Sequence, residues 1–306
     1  MQKVRALRRG SRLGIVAPAS DVAEEAVRKG AAELMRLGFE VVFSESVFSK
    51  LHYFAGTHEH RARQLTEMFS NPDIDAIICA RGGYGSVHLL QLLDLDLIRL
   101  FPKALVGYSD VTVLLQFLEQ NCGVVCFHGP MVAREFAAGE PAYDRRSFLG
   151  VLTATLVGYQ IDGANCTTLR SGKSRGRLSG GCLSLLTASL GTPYEFQTEE
   201  KVLFLEDVNT RPYQIDRMLM QLKLAGKFNR ARGIVFGEMV NCRQGAEENC
   251  RLQEIVMNIL QGFDFPVLYG FPSGHTSTGA LTLPFGVEVL LDADGKLLRL
   301  EEAPVY

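Results

Sequence analysis

The sequence predicts an α/β protein: an N-terminal parallel sheet flanked by helices, followed by a smaller C-terminal α+β, barrel-like domain. Three observations predict it. Up to His128, five short apolar runs alternate with segments whose apolar positions recur at helical spacing, the order that builds parallel strands covered on both faces. Beyond residue 165 shorter strands mix with helices without that regular alternation. A chain of 306 residues is also long for one core, and domains of roughly 100 to 200 residues are the expectation.

The first strand is expected over 12–17, broken by Pro18, after which Ser20 or Asp21 can cap a helix. That helix carries Ala26, Val27, Gly30, Ala31, Leu34 and Leu37 at helical spacing, and Gly38 ends it. A second strand follows over 40–43, then a loop with Leu51, Tyr53, Phe54 and Gly56, and a helix over about 57–69 stopped near Asn71-Pro72. The third strand, 75–80, runs into Arg81-Gly82-Gly83-Tyr84-Gly85-Ser86 and a helix around 87–90. The fourth, 104–107, turns through Tyr108-Ser109-Asp110 into a helix over 111–118, and the fifth, 124–127, ends at His128-Gly129-Pro130. From Ala133 the pattern weakens, with Ala137-Ala138-Gly139-Glu140-Pro141 reading as a linker before a helix near 145–156. The expected division is 1–134 as the N-terminal domain, 135–165 as linker and 166–306 as the C-terminal domain. In that last part strands are expected at 166–169, 202–205, 233–236, 287–291 and 297–300, with helices at 182–190, 213–224 and 249–260.

Composition excludes several classes. Lys plus Arg number 32 against 34 Asp plus Glu, a net charge of −2, so no global field favours nucleic acid or an anionic membrane. No apolar run approaches the roughly 18 residues of a membrane span. The basic start, Met1 to Gly10, is followed by no apolar signal region, and a cytoplasmic location is expected. The cysteines, at 79, 122, 126, 166, 182, 242 and 250, contain no C-x-x-C pair and read as reduced, structural residues. His58 and His60 stand two apart and do not share a helix face, so no metal is expected. The Gly-rich stretch 81–86 matches neither G-x-G-x-x-G nor a phosphate-binding loop, and no cofactor is expected.

Three stretches carry candidate chemistry. Ser109 stands on a strand–turn–helix, where its hydroxyl either caps the helix or projects as on a nucleophile elbow, with free helix N–H groups available to an oxyanion. Val111 occupies the last position of G-x-S-x-G, so the motif is incomplete. Gly82 and Gly83 serve either a turn or the close approach of main-chain N–H groups to a ligand. Residues 18–20, 81–85, Ser109 and His128 all fall at carboxyl ends of expected parallel strands, where ligands of such sheets bind. In the second half, the strand 202–205 ends in Glu206-Asp207, and the Gly- and Pro-rich loop 269–276 presents His275. Singly these are ordinary surface groups. Together they complete a charge-assisted triad: His275 takes the proton of Ser109, and Glu206 holds the imidazole tautomer. The triad is then shared between the two expected domains.

Gly107-Tyr108-Ser109-Asp110, Leu205-Glu206-Asp207, Ser273-Gly274-His275, 282–286, 81–85 and 179–185, in that arrangement, resemble the LD-carboxypeptidase family of serine peptidases over nearly the whole chain. The family also includes the microcin immunity peptidases. The resemblance implies a cytoplasmic enzyme of peptidoglycan recycling that removes the terminal D-alanine from murein tetrapeptide. It implies Ser109 as nucleophile, His275 as general base, Glu206 as its partner, and an oxyanion hole made by the main-chain N–H groups of Asp110 and Gly83. A murein peptide is the expected partner, with neither nucleic acid nor membrane, and a homodimer is implied. Cys182 departs from the polar residue often found after the double glycine. Because the substrate ends in a free carboxylate, a fixed cation is expected nearby. Arg81 is the candidate by position, although it could equally pair with a structural carboxylate; Arg211 with Tyr213 is a second candidate. Two other readings stand beside this one: a microcin-type peptidase acting on an aminoacyl-nucleotide toxin, against which the absence of tryptophan leans, and a non-catalytic small-molecule binding module. An ordinary α/β-hydrolase esterase is weakened by Val111.

Overall fold

A computed structural model describes residues 1–153, 155, 157–163, 165–243 and 251–306. The chain falls into two compact units, Met1–Leu156 with Thr278–Gly286 and Ala303–Tyr306, and Val157–Ser277 with Val287–Glu302.

The first stretch of the chain holds β1 (Arg12–Val16), α1 (Glu24–Arg36), β2 (Glu40–Val42), α2 (His58–Ser70), β3 (Ala76–Cys79), α3 (Leu95–Leu100), β4 (Ala104–Gly107), α4 (Thr112–Cys122), β5 (Cys126–His128) and α5 (Arg145–Thr153). Next come β6 (Gln160–Asp162), β7 (Thr167–Arg170), β8 (Lys173–Cys182), α6 (Leu183–Ala188), β9 (Lys201–Glu206), α7 (Pro212–Leu224), β10 (Gly233–Gly237), α8 (Leu252–Ile259) and β11 (Val267–Phe271). The end of the chain adds β12 (Leu283–Phe285), β13 (Glu288–Asp292) and β14 (Leu297–Leu300).

In the first unit the sheet runs β12-β5-β4-β3-β1-β2, with β1 to β5 parallel as the alternation requires. β3 and β4 are buried at every residue, which is why they read as unbroken apolar runs. Helix α1 turns Val27, Gly30, Ala31 and Leu34 inward. A Cβ at Gly30 would overlap the Val132 carbonyl, so this glycine lets α1 close on the π-turn Val132–Phe136. Thr57 caps α2 by accepting the His60 N–H at 3.2 Å. The segment expected to be helical after the Gly-rich stretch is a 3-10 turn, Ser86–Leu89. β12 enters this sheet from near the end of the sequence, antiparallel to β5. Its edge position tolerates Pro284, which cannot donate to a second neighbour.

The second unit is built on an eight-stranded mixed sheet, β6-β14-β13-β8-β9-β10-β11-β7. Strands β8 to β11 are parallel, while β6, β7, β13 and β14 pair antiparallel at its two sides. Leu183, Leu186, Ile215, Leu219 and Val256 of the helices pack on Leu203, Leu205 and Phe236 of the strands in one core. Of the helix expected over 249–260, residues 249 and 250 lie outside the described residues, and so does Cys250. The six described cysteines are buried free thiols, and burial pushes them up, Cys242 to about 11 and Cys166 to about 12. Among the described residues no helix is long and apolar enough to cross a membrane, and no cluster of three His, Cys, Asp or Glu side chains could hold a metal ion.

Candidate active site

In the first unit, β4 ends at Gly107, where a Cβ would come within 2.9 Å of Val111 and 3.2 Å of Cys79. Only glycine lets the chain turn there. The extended Tyr108 donates its hydroxyl to Glu135 Oε1 at 2.7 Å, and Glu135 Oε2 accepts the Met131 N–H at 3.0 Å. Ser109 follows with φ of +61°, in the left-handed region that costs a side-chain-bearing residue of order 1–3 kcal/mol. An N-capping serine sits instead in extended backbone. The backbone of Ser109 is therefore that of a strained elbow and not of a cap.

The Gly-rich turn lies against this elbow. A Cβ on Gly82 would stand 2.9 Å from Ser109 Cβ, 3.1 Å from its hydroxyl and 3.2 Å from the Asp110 nitrogen. Gly83 has φ of +107° and no room for a side chain beside Ser20. Ser20 Oγ accepts the Tyr84 N–H at 3.1 Å, and its own N–H donates to the Gly82 carbonyl at 3.3 Å. Asp110 is buried, and its Oδ2 accepts the Ser86 N–H at 2.8 Å. The loops after β1, β3 and β4 are thus joined by hydrogen bonds. His128, at the end of β5, is buried against Tyr108 and Phe285 as a core residue.

In the second unit, Glu206 ends β9 and is fully buried. Its Oε2 accepts the His275 main-chain N–H at 3.2 Å and lies 2.7 Å from His275 Nδ1. A carboxylate can only accept here, so Nδ1 carries the hydrogen, and in the neutral ring the lone pair is then on Nε2. Gly237 makes the space, since a Cβ there would meet Glu206 Cβ at 2.6 Å. Asp207, next to Glu206, organises the backbone: it accepts from Ser184 N–H at 2.8 Å, Val208 N–H at 2.9 Å and the Thr210 hydroxyl at 2.7 Å. Cys182 lies 3.8 Å from Asp207 Oδ2, and burial pushes its thiol well above the ordinary range.

Arg81 donates to the Asp21 carbonyl at 3.1 Å, a main-chain partner and not a structural carboxylate. Its guanidinium comes within 3.7 Å of where a Gly83 side chain would begin. Arg211 precedes α7, its N–H donating to Gln214 Oε1 at 3.0 Å, and the exposed Tyr213 ring lies 5.5 Å from the Arg217 guanidinium. Sequence reasoning missed Glu238, which accepts from Ser277 N–H at 2.9 Å, Ser277 Oγ at 2.6 Å and the Thr276 hydroxyl, holding the loop just beyond His275. Its signal was available, because it follows β10 as Glu206 ends β9.

Residues 13–129 match the model of the LD-carboxypeptidase N-terminal domain, and residues 175–291 that of the LD-carboxypeptidase C-terminal domain. The chain belongs to the LD-carboxypeptidase family. It is 35% identical over 301 residues to a probable murein peptide carboxypeptidase of Bacillus subtilis, spanning 98% of this chain and 94% of that one. It is also 32% identical to the microcin C7 self-immunity protein MccF of Escherichia coli, over 94% of this chain and 91% of that one. A solved structure of MccF superposes with a TM-score of 0.93 at 29% identity, covering 100% of both chains. The muramoyltetrapeptide carboxypeptidase of Oxalobacter formigenes superposes with a TM-score of 0.82 at 28% identity, covering 95% of this chain and 98% of that one. As a member of the LD-carboxypeptidase family the protein is a serine carboxypeptidase, a hydrolase.

Proposed function

We propose that the enzyme releases the terminal D-alanine of murein tetrapeptide in peptidoglycan recycling, with Ser109 as nucleophile and His275 and Glu206 as its proton relay. The observation that carries this reading is the fully buried Glu206 carboxylate, bonded to both the backbone and Nδ1 of His275, so that Nε2 is left as the base. Ser109 Oγ attacks the carbonyl of the L-residue as its proton passes to His275 Nε2, and the negative charge moves to the carbonyl oxygen. The N–H groups of Asp110 and Gly83 receive that oxyanion. Collapse breaks the C–N bond, His275 returns the proton to the departing D-alanine amine, and water, activated by the same imidazole, hydrolyses the acyl-enzyme. Arg81 holds the substrate's terminal carboxylate, with Arg211 beside Tyr213 as the second candidate for that cation. The enzyme works in the cytoplasm as a homodimer.

A second reading, a microcin-type peptidase cleaving an aminoacyl-nucleotide toxin, rests on the likeness to MccF; the absence of tryptophan speaks against a pocket that stacks a base. Mass spectrometry of the purified protein with murein tetrapeptide and with its all-L stereoisomer separates the readings. Loss of one alanine from the L–D peptide alone, abolished in Ser109→Ala, is expected. Intact tetrapeptide together with cleavage of an aminoacyl sulfamoyl adenosine would move the assignment to the second reading.

A further inference from the structure

Arg61 has the bulkiest of the fully buried side chains, 1% exposed, on a helix whose start reads as polar surface. Burying a guanidinium costs several kcal/mol unless its charge and donors are met. Its donors therefore mark what the residue does. Nη1 donates to the Gly85 carbonyl at 2.9 Å and to the Pro18 carbonyl, while Nη2 donates to His58 Nδ1. The guanidinium also sits 4.8 Å from the Phe54 ring centroid. Gly85 must be glycine for this to fit, since a Cβ would come 2.9 Å from Arg61 Nη1 and 2.6 Å from Phe54.

The Gly85 carbonyl and the Ser86 N–H belong to one peptide unit. Arg61 takes its oxygen and Asp110 takes its hydrogen. A buried cation and a buried anion thus hold one peptide plane from opposite sides, and the anion is the residue that follows Ser109. The second bond of Nη1, to Pro18, fixes the loop whose Ser20 holds the Gly82 carbonyl and the Tyr84 N–H. Both main-chain groups flanking Gly83 are tied into this assembly.

We infer that Arg61 is a positioning residue for the oxyanion hole: by clamping the Gly85–Ser86 peptide against Asp110 it aims the Gly83 and Asp110 N–H groups at one point. The inference rests on the assignment of those two donors above. Lysine supplies one compact charge where the guanidinium supplies a planar fork, so Arg61→Lys keeps the charge and loses the geometry. Misplacing catalytic groups by about 1 Å costs about a hundredfold.

The test measures kcat and KM for murein tetrapeptide in wild type, Arg61→Lys and Arg61→Met. Alongside these come tetrapeptide affinity in the Ser109→Ala background and hydrogen exchange at the Tyr84 and Ser86 amides. Expected in both variants are a kcat lower by about 30- to 100-fold, KM and ground-state affinity within threefold, and faster exchange at both amides. Wild-type kcat in Arg61→Lys, or a kcat loss with unchanged amide exchange, would overturn the role. If Arg61→Met fails to fold, Arg61→Lys alone decides. If wild type leaves the tetrapeptide intact, the functional reading falls, and unchanged Ser86 exchange in Arg61→Lys would remove the clamp as well.

Discussion

Replacing Gly82 by alanine probes the elbow with a single methyl group. Gly82 lies outside the left-handed region, so alanine meets no backbone penalty there, and the whole effect comes from where Cβ goes. That atom would stand 2.9 Å from Ser109 Cβ and 3.1 Å from its hydroxyl. Carbon atoms pack best at about 3.5–4.0 Å, so the serine or the Gly-rich turn must yield by roughly 0.6–1 Å, a displacement that costs about a hundredfold in rate. The accompanying overpacking costs about 1–3 kcal/mol of stability, a fall of several degrees in melting temperature for a unit of this size. The assay is release of D-alanine from tetrapeptide, read as kcat and KM beside a thermal melt. Gly123→Ala is the control, because Gly123 has φ of +66° with open space around it; it loses stability through strain alone and keeps wild-type kcat. A Gly82→Ala enzyme within threefold of wild-type kcat would refute the argument. So would a rate loss no larger than the loss of folded protein.

Two further outcomes follow from the same geometry. Glu206→Gln keeps an acceptor for the His275 N–H but removes the charge that stabilises the imidazolium, and kcat is expected to fall by about 10³- to 10⁴-fold; a loss under tenfold in steady-state kinetics would contradict the role of Glu206. Lys103 is buried with its ammonium donating to the carbonyls of Met68 and Asn71, and burial draws its pKa down to about 8. Below that pH both folded and unfolded chains carry the proton and the burial cost is fully felt. Between about 8 and the ordinary value near 10.4 the unfolded chain binds more protons, so stability rises with pH. Urea midpoints should climb across this window more steeply in wild type than in Lys103→Met, and equal slopes would exclude the effect.

What was legible in the sequence is what local pattern controls. The central parallel strands β3 and β4 announce themselves because burial on both faces leaves only apolar residues in them. Glu206 is legible as an acid at the end of such a run, and His275 as a lone imidazole in a glycine-rich loop. Whether Ser109 caps a helix or sits on a strained turn depends on one backbone angle, which no residue pattern encodes. β8 escaped because Lys173, Arg175 and Arg177 occupy its exposed face, so it reads as a charged loop until β9 and β13 pair with it. Nothing in the sequence sets Arg61 apart within the helix expected over 57–69, since its partners, Pro18, Gly85 and Asp110, come from three other segments. β12 was hidden for a similar reason: its partner β5 is far away in sequence.

That last pairing bears on how the chain comes off the ribosome. Once β5 has emerged, roughly 150 further residues must be made before β12 can cover it, about 8 to 30 seconds at typical rates of synthesis. Throughout that interval the nascent first unit exposes the open edge of a parallel sheet, the kind of edge that invites pairing with another chain. Expression of the first 156 residues alone would make this transient state permanent, and such a fragment is a poor vehicle for studying the serine half of the enzyme. Slowing translation over the second unit would lengthen the same exposure and lower soluble yield without changing a single residue.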